Sequence, residues 1–407
     1  CLDLLHKHFQ ALDIPPDFSP ADPGSVETLR AAALAETLER AYADPDFCAF
    51  ADLYGKGRSD KAAGETILHT YDFLRALPDY DRKLDEFLAP WKAECGFDKT
   101  CWHDLLLAEA ARDAKAGREL FCAALSDCTN GLVLARIEAE NKGKTAAARA
   151  KGVAGANDKF AEPLERLESA AALLGEVERL AEAGEWTPLY DRLTPYVLGM
   201  EPLPGLKGMK KRLTGEHKAA VKTCADEAAG LFGQILELIA CSEDEAEADR
   251  LAALPRLQAL FAAVRDFDAR FAAKKQERKL LEFSDFEHQA LRLLRGPDGN
   301  PTPLCESIRQ NYAAVMVDEY QDTNALQDAL YRCLASPAGD NLFLVGDLKQ
   351  SIYRFRQADP SIFREKLDTW PLLEDEAARS RPAEGIPGRN ALLALDANFR
   401  SAPEVVR

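Results

Sequence analysis

The stretch VMVDEYQDTN, Val315 to Asn324, leaves few choices for the fold around it. Three apolar residues run straight into two adjacent acids, and such a run reads as a strand covered on both faces in a parallel sheet. Open α/β sheets hold ligands beyond the C-terminal ends of their strands, so Asp318 and Glu319 stand where a cation and a nucleotide would be held. A helix start follows, marked by Asn324 and Gln327, and then a second apolar run, NLFLVGD. Asp359 and Pro360 supply an N-cap and a first-turn proline for another helix. Strand, helix, strand, helix in this order is a parallel βαβ unit.

The remainder of the 407 residues has a different character. From Ser25 to about residue 290 the chain is rich in Ala, Leu, Glu, Lys and Arg, with apolar stripes at helical spacing such as Leu34, Leu38, Tyr42 and Leu173, Val177, Leu180. Breaks are expected at Pro15-Pro16, Gly55 to Gly64, Gly152 to Asn157 and Pro195 to Gly215. In LEFSDFEHQALRLLRGPDG, Ser284 and Glu287 form a capping-box pattern and Gly296-Pro297 ends the helix. No apolar run approaches a membrane span and no signal-peptide pattern is present, which suggests a cytoplasmic chain. The ten cysteines contain no C-x-x-C pair and read as free, mostly buried thiols rather than metal ligands.

A net charge of −17 argues against a chain that coats DNA through its overall field. Local patches set phosphate contacts, however, and GLKGMKKRLTGEHK concentrates Lys207, Lys210, Lys211, Arg212 and Lys218 against Glu216 alone. Such a run is either a solvated face or a nucleic-acid contact.

Phosphoryl transfer from a nucleoside triphosphate needs a divalent cation, a group that orients the attacking water, and positive charge for the transition state. Asp318 is the natural outer-shell or direct Mg²⁺ ligand and Glu319 the base that polarises water; solvated acids at a strand end are the plainer alternative. In VGDLKQSIYRFRQADP, Gln350 can donate and accept at once, which suits a sensor between a γ-phosphate and a DNA side. Tyr353, Arg354, Phe355 and Arg356 interleave aromatics with cations, as a single-strand stacking platform requires. The GKT at Gly143 to Thr145 is a decoy, because the glycine required five places earlier is Glu138.

DEYQDTN, VGDLKQSIYRFRQADPSIF and LDANFRS resemble the Walker B, third and fourth motifs of superfamily 1 helicases of the UvrD/RecB type. Within that group, QSIYRFRQADP is most similar to the AddA (RexA) family of helicase–nuclease subunits. FSDFE and the opening CLDLLHKHF resemble further segments of the same family. The likeness is strong over 280–407 and weaker over the helical block.

The resemblance implies an α/β fold with a large all-helical insertion: a partial RecA-like P-loop NTPase domain with a parallel sheet, plus a helical 1B domain. Residues 1–12 would end a 1A segment, 13–270 would form the 1B-type domain, 271–390 would continue 1A, and 391–407 would open the second motor domain. ATP and Mg²⁺ are the implied cofactors. The implied partners are single-stranded and duplex DNA together with an AddB/RexB-like partner subunit, with no membrane. Asp318 would serve Mg²⁺, Glu319 water and Gln350 the γ-phosphate. Tyr353 and Phe355 would meet bases, Phe399 would stack on adenine, and Arg400 would reach the γ-phosphate. The expected protein is an internal fragment, inactive alone, of an ATP-dependent helicase and nuclease acting in double-strand-break processing. A nuclease-free UvrD-type repair helicase and an inactive helicase-like DNA-binding scaffold are the alternatives.

Overall fold

The computed structural model describes residues 1–12, 14–54, 60–92, 96–202, 217–352, 357–372 and 390–394. Two compact units emerge, one formed by residues 1–88 and 255–407 and the other by residues 89–254. The composition of the chain changes near residue 280, but the first unit also gathers helical sequence from both sides of the second.

The chain opens with α1 (Leu2–His8), β1 (Ser19–Pro20), α2 (Pro23–Ala41), α3 (Pro45–Tyr54), α4 (Lys61–Arg75) and α5 (Tyr80–Lys92). Asp22 starts α2 by accepting from Ser25 N at 3.0 Å, and Pro23 occupies the first turn, where its missing N–H costs nothing. The predicted stripe of Leu34, Leu38 and Tyr42 packs on a core that includes Leu29, Phe47, Ile67, Tyr71, Phe267 and Phe271. The ring of Tyr71 meets that of Phe267 edge-on at 5.0 Å.

The second unit holds α6 (Cys101–Lys142), α7 (Ala146–Glu182), α8 (Trp186–Val197) and α9 (His217–Leu238). Thr100 caps α6 by accepting from His103 N, and at 42 residues the helix is roughly 60 Å long. The GKT sequence forms the turn of the α6–α7 hairpin: Gly143 closes α6, and Thr145 opens α7 by accepting from Ala148 N at 3.2 Å. It is a surface connection, as expected.

Two expectations need correction in this unit. The break at Gly152 to Asn157 is absent, because α7 runs through it. A Cβ on Gly152 would stand 3.0 Å from Ala139 Cβ, so close helix packing outweighs the propensity cost of the glycines. Contrary to the expectation from apolar runs, α6 is long and apolar enough, by length and composition, to cross a membrane. Its stripe of Leu107, Ala110, Ala114, Phe121, Ala124 and Cys128 is instead buried in the core of the unit, with Phe160, Leu174 and Phe232.

The chain continues through α10 (Glu243–Glu277), β2 (Leu280–Leu281), α11 (Phe283–Leu294), α12 (Pro303–Arg309), β3 (Val315–Val317), α13 (Ala325–Leu334), β4 (Leu342–Leu344) and α14 (Pro360–Thr369). β1 pairs in parallel with β2, and β3 with β4 in the register Val315↔Leu342, Met316↔Phe343, Val317↔Leu344. With α13 as the crossover, β3–α13–β4 is the predicted parallel unit. Asn324 caps α13 by accepting from Gln327 N at 2.9 Å, while Gln327 Oε1 accepts from Asn324 N. Asp359 likewise starts α14, accepting from Ser361 N at 3.0 Å.

The helix α11 starts earlier than Ser284. Glu282 is its N-cap residue, and Asp285 reaches back to accept from Glu282 N at 3.0 Å. Glu287 is therefore no cap, and its carboxylate accepts from Gln327 Nε2 at 2.9 Å, joining α11 to α13.

The β3–β4 pair is covered on one face rather than two. Val317 is buried with Tyr320 and Phe363, and Val315, Leu342 and Leu344 pack against them. On the opposite face Met316 is 76% and Phe343 53% exposed. With a side-chain period of two, each strand divides its apolar residues between both faces, and among the described residues only one face is packed. The cysteines are also less buried than expected: Cys128, Cys305 and Cys333 are buried, but Cys1, Cys101 and Cys122 are exposed.

Candidate nucleotide site

The ends of β3 and β4 place the acids side by side. Val345 N donates to Val317 O and Tyr320 N to Val345 O, both at 2.8 Å, so the ladder continues past the strands and brings Asp318-Glu319 beside Gly346-Asp347. A 3₁₀ turn, Tyr320–Asp322, then bends the chain towards α13.

Tyr320 anchors this turn. Its ring is 1% exposed and meets Phe363 edge-on at 5.7 Å, and Lys366 Nζ lies 5.0 Å above it. Its hydroxyl donates to Asp328, whose other oxygen accepts from Arg332 Nε at 2.7 Å. Burial and the Asp328 hydrogen bond push the phenol well above its usual range. Burial likewise pushes the Lys366 ammonium below its ordinary value.

Glu319 adopts a left-handed backbone, φ 50° and ψ 42°, a conformation that costs a non-glycine residue about 1–3 kcal/mol and must be held by its surroundings. The preceding carboxylate helps, since Asp318 Oδ1 accepts from Glu319 N at 2.9 Å. Both acidic side chains are exposed. Asp322, by contrast, buries Oδ1 without a hydrogen-bond partner among the described residues. Burial first, then the charge of Glu319, raises its carboxyl above the usual range.

On the β4 side, Asp347 caps a second 3₁₀ turn, Leu348–Gln350, accepting from Lys349 N at 3.0 Å. Gln350 Nε2 donates to Asp347 Oδ2 at 2.9 Å, and this bond holds the Asp347 carboxyl below its ordinary value. Gln321, 1% exposed, bridges the two strand ends: Nε2 donates to Glu319 Oε2 at 2.6 Å, and Oε1 accepts from Asp347 N at 2.9 Å.

Three residues singled out by sequence, Asp318, Glu319 and Gln350, thus converge on one cluster. Gln321 and Asp347 join them without a role predicted from sequence, although both lie within the DEYQDTN and VGDLKQ motifs. Tyr353, Arg354, Phe355, Arg356, Phe399 and Arg400 lie outside the described residues, as do Lys207, Lys210, Lys211 and Arg212.

The donor set suits a hard cation. Mg²⁺ takes oxygen ligands and is commonly held by one or two carboxylates together with substrate phosphates and water. Asp318 offers an exposed carboxylate, and Asp322, four positions on, carries a buried oxygen without a hydrogen-bond partner among the described residues. No group of three or more His, Cys, Asp or Glu side chains able to hold a metal occurs among the described residues.

Comparison with known proteins gives this cluster a class. Residues 201–371 match the UvrD/REP helicase N-terminal domain, a stretch that contains Asp318, Glu319, Gln321, Asp347 and Gln350. A UvrD-type helicase domain is therefore present in this mostly helical chain. Over its whole length the chain is also similar to proteins named as the A-type subunits of ATP-dependent helicase/nucleases. It is 30% identical over 419 residues to that of Staphylococcus aureus (strain bovine RF122 / ET3-1). It is 27% identical over 417 residues to that of Acetivibrio thermocellus, and 27% over 420 residues to that of Ruminiclostridium cellulolyticum. The chain spans 30% of the length of each of these relatives. The resemblance carried by DEYQDTN and VGDLKQSIYRFRQADPSIF is borne out.

Proposed function

We propose that this chain supplies part of the ATP-hydrolysing site of a DNA helicase, in a polypeptide that uses ATP to move along and unwind DNA during double-strand-break repair. One observation carries the reading: Asp318 and Glu319 at the end of β3 stand beside Asp347 and Gln350 at the end of β4, within the stretch that matches the UvrD/REP domain. The relatives are named as ATP-dependent helicase/nucleases, which supports ATP as the nucleotide and is the ground for proposing nuclease activity in the same polypeptide.

In this reading Asp318 holds Mg²⁺, which would neutralise phosphate charge when bound. Glu319 accepts a proton from the attacking water, and Gln350 turns from Asp347 to the γ-phosphate. Phe399 would stack on adenine and Arg400 would add transition-state charge. Tyr353, Arg354, Phe355 and Arg356 would hold single-stranded DNA, and Lys207, Lys210, Lys211 and Arg212 would touch duplex. Residues 1–12 and 271–390 would belong to a RecA-like 1A domain, 13–270 to a 1B-type domain, and 391–407 to a second motor domain. A phosphate-binding lysine loop is not found in residues 1–407, so residues 1–407 alone would not hydrolyse ATP. A cytoplasmic setting and a second, partner subunit complete the proposal.

The test is ATP hydrolysis by the full-length polypeptide containing this chain, with and without single-stranded DNA, beside Glu319→Gln. DNA-stimulated turnover that is lost in the variant is expected. Turnover that survives Glu319→Gln would reject the site, and absence of turnover in both would leave a binding scaffold.

A further inference from the structure

We infer that Gln321 is the positioning residue of this site, the link that ties the orientation of Glu319 to the β4 turn carrying Gln350. This rests on the reading of Glu319 as the water-activating base. Gln321 is 1% exposed and its amide is used at both ends. The backbone N–H of Asp347 can only donate, so the amide oxygen must face it, at 2.9 Å, and the NH₂ must face Glu319 Oε2, at 2.6 Å. The amide has one possible orientation, and its donor is aimed at the carboxylate that has to be aimed.

Gly346 makes this approach possible. A Cβ there would stand 2.5 Å from Gln321 Oε1 and 3.0 Å from Phe363 Cε1, so any other residue would push the amide out of line. Beyond Asp347 the connection continues, since Gln350 Nε2 donates to Asp347 Oδ2 at 2.9 Å. Glu319, Gln321, Asp347 and Gln350 therefore form one hydrogen-bonded line across the two strand ends. When Gln350 leaves Asp347 for a phosphate, Asp347, the cap of this turn, loses the donor on Oδ2 while its N–H remains on Gln321. A shift of Asp347 on the β4 side would then reach Glu319 through Gln321. The left-handed backbone of Glu319 is held at its N–H by Asp318 Oδ1, and Gln321 adds the contact that fixes the side chain.

The experiment compares steady-state ATP hydrolysis by the full-length polypeptide, at saturating single-stranded DNA, with Gln321→Met, Gln321→Glu and the reference Glu319→Gln. Gln321→Met removes both bonds; Gln321→Glu keeps an acceptor for Asp347 N but loses the donor to Glu319. Both are expected to lower kcat about 10–100-fold with KM for ATP within about threefold of the parent, the pattern of a lost orienting contact. Thermal unfolding of Gln321→Glu should fall below that of the parent, because a buried carboxyl replaces a neutral amide beside Glu319, and kcat is therefore read well below the unfolding midpoint. Full kcat in Gln321→Glu would reduce the residue to a structural brace and overturn the inference, as would parental kinetics in Gln321→Met. If Gln321→Met does not fold, Gly346→Ala displaces the same amide with Gln321 intact, and the same loss of kcat is expected. Hydrolysis that survives Glu319→Gln would remove the underlying reading, and the inference with it.

Discussion

Arg75 and Asp285, 210 positions apart, form a buried ion pair with Nη2 2.7 Å from Oδ1. The second oxygen of Asp285 accepts from Lys275 Nζ at 2.6 Å, and Glu282 Oε1 stands 3.7 Å from the same ammonium, so two carboxylates at the start of α11 hold two buried cations from the ends of α4 and α10. Arg75 also lies 5.1 Å above the ring of Tyr80, and Lys275 lies 4.3 Å above that of Phe271. Two backbone contacts reinforce the junction: Leu326 N donates to Ala76 O at 2.9 Å, and the ring of His288 meets Arg75 O at 3.0 Å.

Replacing Asp285 with Asn would take from Arg75 its ion-pair partner and leave Lys275 facing Glu282, whose Oε1 is 3.7 Å away. Breaking a buried pair by removing one partner costs about 3–5 kcal/mol, and a large fall in the thermal midpoint of the first unit is expected. Replacing Arg75→Met, Lys275→Met and Asp285→Leu together with Glu282→Gln should be far less harmful, because the linked ion pairs are removed whole. Equal losses in the two proteins would mean that packing, not charge balance, governs this junction.

His288 predicts a pH dependence. Burial first, then the charge of Arg75, lowers its pKa from 6.5 to about 4, while Asp285 opposes and Lys275 adds to the shift. The folded protein therefore holds the ring neutral while the unfolded chain binds the proton more readily. This stability is complete above pH 6.5 and is lost as pH falls towards 4, with a slope of at most about 1.4 kcal/mol per pH unit. Asp268 and Glu287 are shifted the other way, raised chiefly by burial, so they favour the folded state at low pH and partly offset the loss. Denaturation midpoints of the parent and of His288→Gln between pH 4 and 7 measure the difference, and the variant should show the flatter acid limb.

Gly117 of α6 marks a close crossing in the second unit. A Cβ there would stand 2.8 Å from Leu174 Cδ1 and 3.6 Å from Ala228 O. Gly117→Val should therefore destabilise the unit by about 1–3 kcal/mol through overpacking, despite the better helix propensity of valine. Gly155, with open space around it, is the control: Gly155→Ala should stabilise the helix slightly, by no more than about 1 kcal/mol. Chemical denaturation of both variants distinguishes packing from propensity.

Asn324→Ala removes the side-chain acceptor for Gln327 N at the start of α13, while the Gln327 side chain keeps its bonds to the backbone N–H of residue 324 and to Glu287. A cost of about 0.5–2 kcal/mol is expected for the cap. Asn324→Asp should be nearly neutral, because a carboxylate accepts from the same N–H, and a loss equal to that of alanine would show that the side-chain amide is needed elsewhere.

Local rules were legible in the sequence wherever the signal is contained in a few consecutive residues. Asn324 with Gln327 and Asp359 with Pro360 mark helix starts because a cap acts over one turn, and the parallel strands follow from two apolar runs separated by a helix. Asp318 and Glu319 could be placed at a strand end for the same reason. Glu287 looked like a cap residue because the pattern suited it, yet its partner is Gln327, forty positions away.

What the amino-acid order determined by itself was the kind of elements, the acids at the end of β3, and the likeness to UvrD-type helicases, since periodicity, caps and motifs are properties of short stretches. Only the tertiary structure decided that α7 continues through its glycines, that Met316 and Phe343 face away from the packed side of the sheet, and that Asp285 lies between Arg75 and Lys275. It also decided that Gln321 joins Glu319 to Asp347. Each of these depends on which distant segment comes within about 3–4 Å, and on whether burial makes a polar group find a partner there, a balance that no short window of sequence contains.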